Sequence, residues 1–151
     1  MEAFPFTEAE WQAVRDAAHF VVNAAMGEDP EVEASHLIEL LDVLGNLRKC
    51  HGEHPILLET AADFAEEDDE RLLLYQQAAR VAAANGLSTL SIRLSLAELL
   101  VDLDQMGAAR DELLACESEL LTGAESDRIR WHELLAISKA NHESTKIENA
   151  K

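Results

Sequence analysis

The chain has 151 residues, of which 48% are apolar, so one domain with a substantial core is expected and extensive disorder is excluded. Thirty acidic against twelve basic residues give a net charge of −18, which disfavours nucleic acid and anionic membrane surfaces as partners. Ala, Leu and Glu are abundant and only three prolines occur, so we expect an all-α fold.

The first two predicted helices are joined by a short turn. A capping box, Thr7-Glu8-Ala9-Glu10, begins helix 1, and Gly27 ends it. Asp29-Pro30 begins helix 2, and Gly52 is its predicted C-cap. The predicted core face of helix 1 comprises Trp11, Val14, Ala18, Val21, Val22 and Ala25. The predicted core face of helix 2 comprises Leu37, Leu40, Leu41, Leu44 and Leu47.

Helices 3 and 4 form the next predicted pair. His54-Pro55 begins helix 3, which is predicted to run to about residue 66. The five acids at 66–70 predict a solvated turn, with the last of them at the positive N-terminus of helix 4. Asn85-Gly86 is a C-cap signal for helix 4. The predicted core residues of the pair are Leu58, Ala61, Ala62, Ala65, Leu72, Tyr75, Ala79 and Ala82.

Three further helices follow. Ser88 is the predicted N-cap of helix 5, and helix 6 is predicted to carry Ala109, Leu113, Cys116 and Leu120 on one face. Helix 5 is apolar on two sides, so we expect it to lie between layers. Its two stripes are Ile92, Leu96, Leu99 and Leu103, and Leu87, Leu90, Leu94 and Val101. Helix 7, from about Ser126, is predicted to cover the last hairpin. We expect one domain over residues 1–140 and a disordered tail over 141–151.

Helices 5 and 6 resemble a tetratricopeptide repeat. Leu96, Ala97 and Leu100 stand at the Leu, small and aromatic places of the first helix of that family, and Ala109, Leu113 and Cys116 at the Ala, large apolar and small places of the second. Asp104 stands where the family usually has Gly, and Leu121 where it has Pro. Tyr75 and Ala78 are a weaker match, 38 residues before Leu113 and Cys116.

The resemblance implies a stack of αα-hairpins wound into a right-handed superhelix of about seven helices, with helix 7 as the cap. A compact seven-helix bundle is the alternative. In such stacks the first helices of the hairpins line a concave groove that holds a partner segment. Polar residues recur along helices 1, 3 and 5, and they make up the candidate groove. They are Gln12, Asp16, His19, Asn23, Glu59, Asp63, Ser91, Ser95, Glu98 and Asp102.

These strips are mostly acidic, which predicts a protein or peptide partner of basic or mixed charge. The alternative is that they only face water. The leading functional prediction is therefore a non-enzymatic protein–protein interaction module. A small acidic immunity or antitoxin-like protein that masks a basic toxin is the first alternative, and a helical ligand-binding domain or enzyme is the second. A homodimer through Leu87, Leu90, Leu94 and Val101 is left open.

Metal and catalytic sites have little support in the sequence. Cys50-His51-Gly52-Glu53-His54 contains zinc-ligand residue types, but its spacing matches no standard zinc pattern. There is no Gly-rich phosphate loop, no G-x-S-x-G and no H-E-x-x-H. We therefore expect no metal, no cofactor and no enzymatic activity. Met-Glu-Ala-Phe-Pro lacks the features of a signal peptide, so we expect a cytoplasmic location with Cys50 and Cys116 reduced.

Overall fold

The computed structural model describes the backbone of residues 3–149 and the side chains of residues 3–140. This part of the chain contains seven α-helices and no strand, which confirms the all-α prediction. The helices are α1 (Glu8–Met26), α2 (Pro30–His51), α3 (Pro55–Phe64), α4 (Asp68–Ala84), α5 (Leu90–Asp102), α6 (Met106–Ala115) and α7 (Glu125–Asn149). A short 3-10 helix, Glu117–Leu121, lies between α6 and α7.

The helices pack as consecutive pairs. The closest pairs are α1 with α2, α3 with α4, and α5 with α6, and α4 links the second pair to the third by packing on α5. Helix α7 packs on both α5 and α6. Its buried Trp131 donates the indole N–H to the carbonyl oxygen of Leu113 at 2.7 Å. The predicted stack of hairpins with a covering last helix is therefore confirmed.

Two apolar cores hold this stack together. The smaller core joins α1 and α2 to one side of α3, and its centre is formed by Val14, Leu40, Leu44 and Leu57. The larger core joins the other side of α3 to α4, α5, α6 and α7. Neighbouring residues of α3 enter different cores, because Leu57 belongs to the smaller one and Leu58 to the larger one. Helix α3 therefore connects the first hairpin to the rest of the molecule.

Helix α5 lies between layers, as its two apolar stripes predict. Leu94 and Leu96 are fully buried, although they lie on different faces. Leu90 is also buried, and Leu87 and Val101 are half-buried against the larger core. The stripe on which the homodimer prediction was based is therefore mostly covered by the chain itself, and self-association stays an untested prediction.

Local sequence signals fix most helix starts. Thr7 and Glu10 form the predicted capping box, and the Asp29 side chain accepts the backbone N–H of Val32 at 3.3 Å. His54 caps α3 by accepting the N–H of Ile56 on Nδ1 at 3.2 Å. The three acids Asp68–Glu70 lie in the first turn of α4, as predicted from the helix dipole.

Three helices end in the same left-handed turn. The residue after the C-cap has a positive φ in each, 56° at Glu28, 67° at Gly86 and 61° at Asp104. In the last of these turns, Gln105 donates its N–H to Leu100 O at 2.8 Å and Asp104 donates to Val101 O at 2.9 Å, which is the Schellman pattern. The residue with positive φ after α1 is Glu28, whereas Gly27 has ordinary helical angles.

Two boundaries differ from the prediction because of one distant contact. The N-cap of α5 is Thr89 and not Ser88. Glu119, thirty residues later, accepts the Thr89 N–H at 2.7 Å and the Ser88 hydroxyl at 2.9 Å. It also accepts the Thr89 hydroxyl. The predicted helix 6 to Leu120 is wrong, since α6 ends at Ala115 and the 3-10 helix then carries Glu119 to this position.

Three predicted core residues are exposed, and one prediction is untested. Val22 is 46% exposed and Ala25 is also exposed on α1, and Leu41 is 47% exposed on α2. The predicted core face is therefore too wide by two residues on α1 and by one residue on α2. Helix α3 ends at Phe64, before the predicted end at residue 66. The predicted disorder of residues 141–151 falls where no side chains are described, and it stays a prediction.

Candidate functional site

An apolar groove runs between α1, the start of α2 and the end of α3. It has a volume of about 480 Å³. Its apolar walls are Val21, Val22, Ala25, Met26, Leu37, Phe64 and Ala65. Met26 is 78% exposed, and the long, unbranched side chain of methionine adapts readily to differently shaped apolar surfaces. We call this surface the apolar groove.

Three carboxylates also line the apolar groove. They are Glu33 on α2, Asp63 on α3 and Glu66 after the end of α3. Glu33 and Glu66 are in no ion pair among the described residues. The groove thus combines apolar walls with negative charge, and it contains no positively charged side chain.

A second, smaller cavity lies beyond Asp63, between α3, α4, α5 and α7. Its volume is about 180 Å³ and its polar lining residues are Asp63, Arg71, Tyr75, Ser95, Glu98, Asp102 and Arg130. Three carboxylates therefore face two guanidinium groups across one space. We call this cavity the polar pocket. Asp63 lines both the apolar groove and the polar pocket.

Several charges of the polar pocket are already paired. Arg130 on α7 forms an ion pair with Glu98 on α5, and the Tyr75 hydroxyl donates a hydrogen bond to Asp63. Arg71 lies 3.8 Å from Asp68, and its buried Nε has no hydrogen-bond partner among the described residues. Asp102 is exposed and takes part in no ion pair in the described chain. Asp102 is therefore the carboxylate best placed to meet an incoming charge.

Partial burial shifts the pKa values of two carboxyls on α3. Desolvation raises the pKa of Asp63 from 3.8, against the hydrogen bond from Tyr75 and the nearby Arg71 and Arg130. Desolvation, assisted by the negative charge of Asp63, raises the pKa of Glu59 from 4.5. Ionisation of either carboxyl is therefore less favourable than in water, and a positive group placed beside it would offset this loss.

The structure brings together only part of the predicted groove. Asp63, Ser95, Glu98 and Asp102 meet in the polar pocket, and Ser91 lies within 3.5 Å of Glu59. The strip on α1 is separate. Its four residues, Gln12, Asp16, His19 and Asn23, are exposed and line neither cavity. Gln12 instead donates to Asp16 at 2.7 Å along the helix surface.

Sequence reasoning missed the apolar walls. Val22 is a predicted core residue, and Met26 belongs to no predicted site. The signal was present, because Val22 and Met26 are four residues apart and lie beside the core stripe that contains Val21. Sequence spacing alone does not show that this edge of α1 has no covering helix.

The Cys50–His54 segment has structural roles. His51 Nε2 lies 2.9 Å from the Glu10 carboxylate, and His54 caps α3. Among the described residues, no three His, Cys, Asp or Glu side chains are grouped so as to hold a metal ion. Cys50 is exposed and Cys116 is buried, and both thiols are free. Burial raises the pKa of the Cys116 thiol to about 11.

Comparisons with protein-family models, with curated proteins and with solved structures return no match to this chain. No helix in the described part of the chain has both the length and the apolar character needed to cross a bilayer. The function is therefore inferred from the apolar groove and the polar pocket.

Proposed function

We propose that this protein is a non-enzymatic interaction module that binds a basic or mixed-charge segment of another protein. The observation that carries the proposal is the apolar groove, which exposes Val22 and Met26 beside Glu33, Asp63 and Glu66. An exposed apolar surface bordered by polar groups is typical of protein-binding sites. The net charge of −18 adds a field that attracts basic partners.

We further propose that the scaffold is a degenerate tetratricopeptide-like array wound as a right-handed superhelix. A spacing of 38 residues relates buried positions on three alternate helices. These are Leu58, Leu96 and Leu134, and Ala62, Leu100 and Ser138. The small residues Ala97, Ala109 and Cys116 are fully buried, as close helix packing in that family requires. Asp104, at the usual Gly place, has the positive φ that favours Gly.

A cytoplasmic location is part of the same proposal, and its support is the pair of free thiols. Fractionation of the native host, followed by immunoblotting of soluble and membrane fractions, tests this location. Recovery mainly in an oxidising compartment would contradict it.

Selection from a random peptide library displayed on phage tests the interaction function without a named partner. We expect selected peptides to be enriched in Lys and Arg and to contain regularly spaced large apolar residues. Binding should fall on charge reversal of Glu33 and Glu66 to Lys, because both carboxylates line the apolar groove. The matched control is Asp111→Lys, an exposed residue on α6 that lines neither cavity. Failure to enrich any peptide over an unrelated acidic protein would overturn the proposal.

A further inference from the structure

We propose that the partner segment is an amphipathic helix whose apolar stripe occupies the apolar groove and whose neighbouring Lys or Arg enters the polar pocket. This inference rests on the proposed function and narrows it to one class of partner. It follows from the position of Asp63, which lines both cavities. A ligand in the apolar groove that reaches Asp63 therefore meets a residue that also lines the polar pocket.

The apolar stripe of the partner matches an exposed side of α1. Helix α1 has α2 as its principal packing partner, and within the described part of the chain Val22 and Met26 on α1 are exposed. Phe64 on α3 supplies the facing wall. A groove between two helices accepts a third helix, whose residues at i, i+3, i+4 and i+7 contact both walls. The partner therefore presents large apolar residues at that spacing.

The positive charge of the partner matches the carboxylates of the polar pocket. Asp102 is exposed and unpaired within the described chain, and Asp63 carries an unfavourable desolvation cost when ionised. The two arginines of the polar pocket leave one of its three carboxylates in excess. A cationic side chain between Asp63 and Asp102 would balance this charge and favour the ionised form of Asp63. An anionic side chain would add to the negative charge instead.

Three synthetic helical peptides of about 16 residues, about 24 Å long as helices, test the inference. The first has a leucine stripe at i, i+3, i+4 and i+7 with lysines at one end of the stripe. The second replaces each lysine by glutamine, and the third replaces each leucine by serine. Their affinities for the full-length protein are measured by fluorescence anisotropy at low and high salt.

The variants separate the two parts of the site. Asp102→Asn should weaken the lysine peptide about five- to tenfold at low salt and leave the glutamine peptide unchanged. The control Asp111→Asn should change neither affinity. Val22→Ser with Met26→Ser should weaken both leucine peptides to a similar extent, because both bury the same apolar stripe. Circular dichroism of each variant verifies that its helices are intact.

Each outcome decides a specific point. Equal affinity of the lysine and glutamine peptides, or equal effects of Asp102→Asn and Asp111→Asn, would overturn the role of the polar pocket and leave the interaction function standing. Binding by neither leucine peptide would overturn the helical, amphipathic partner, whereas the proposed function fails only if the random library also yields no binder. Binding of the serine peptide as tightly as the lysine peptide would show that the apolar groove is not the docking surface.

Discussion

The first hairpin and helix α5 use apolar residues in opposite ways. Every leucine and isoleucine within α5 is buried, since α4, α6 and α7 all pack against it. Helices α1 and α2 pack mainly on each other, and they leave large apolar side chains exposed. These are Phe20, Val22, Met26, Val32, Ile38 and Leu41. The number of neighbouring helices, and not local hydrophobicity, therefore decides which apolar residues become core and which remain available for binding.

The largest expected effect tests whether the two cores are separate stability units. Leu94→Ala in α5 and Leu40→Ala in α2 each remove a fully buried side chain, and each should cost about 3–5 kcal/mol. Leu94→Ala should speed amide exchange mainly in α3 to α7, because α5 lies in the larger core that joins these helices. Leu40→Ala should speed exchange mainly in α1 and α2. Hydrogen exchange with mass spectrometry measures both effects. If Leu40→Ala speeds exchange equally in all helices, the two cores are not separate stability units.

The next effect concerns the hydrogen bonds that Ser88 and Thr89 donate to Glu119. Partial burial works against ionisation of Glu119, but hydrogen bonds from Thr89 and Ser88 outweigh it and lower its pKa from 4.5. Glu119→Ala should lower the free energy of unfolding by about 2 kcal/mol at neutral pH. Since the folded-state pKa is lowered, this stabilisation is present above pH 4.5 and is lost as the pH falls through the folded value.

Urea unfolding from pH 7 down to acid measures the Glu119 effect. The control is Glu117→Ala in the same 3-10 helix, where the side chain is exposed. If the difference in unfolding free energy between Glu119→Ala and the native chain stays the same at low pH, the stabilisation does not come from the ionised Glu119 carboxylate.

A smaller effect compares the turns that end α1 and α5. Glu28→Gly and Asp104→Gly should each stabilise the protein by about 1 kcal/mol, because glycine adopts positive φ without the Cβ strain of other residues. Gly86→Ala should destabilise the third such turn by a similar amount. Thermal unfolding measures all three. Asp104→Asn removes the charge but keeps a side chain at the positive φ, so it separates the effect of charge from the backbone effect. Destabilisation by Glu28→Gly would contradict the conclusion that α1 ends in this left-handed turn.

The smallest effect concerns α3, which belongs to both cores. Glu59→Gln should stabilise the protein by about 0.5 kcal/mol at pH 7, because it removes a partly desolvated charge beside Asp63. A raised folded-state pKa means that the cost exists at high pH and vanishes below the ordinary value of 4.5, so the gain should vanish there too. Exposed Glu66→Gln is the control, and a gain that survives at pH 3 would contradict this cause.

Much of the fold was predictable because its signals are local. The capping residues Thr7, Asp29 and His54 act on backbone groups within three residues, so reading the sequence located the starts of three helices. The start of α5 was misplaced by one residue and α6 was extended too far for the opposite reason. Both depend on Glu119, which is thirty residues from Thr89 and contacts it only in the folded chain.

The candidate site was less predictable than the fold. Helical periodicity correctly grouped Ser95, Glu98 and Asp102, and Asp63 joins them across the hairpin stack. It could not show that α7 brings Arg130 to Glu98, since that pair spans 32 residues. Nor could it separate Val22 from the core residue Val21, because adjacent positions on a helix edge differ only by what packs beside them.

The adjacent residues Leu57 and Leu58 impose an evolutionary constraint on α3. Adding or deleting one amino acid upstream of them within that helix would rotate both side chains by about 100° and misdirect them together. The connection formed by residues 65–67 is not required to direct adjacent side chains into two different cores. Lineages that diversify this protein should therefore change length in that connection and keep the length of α3 fixed.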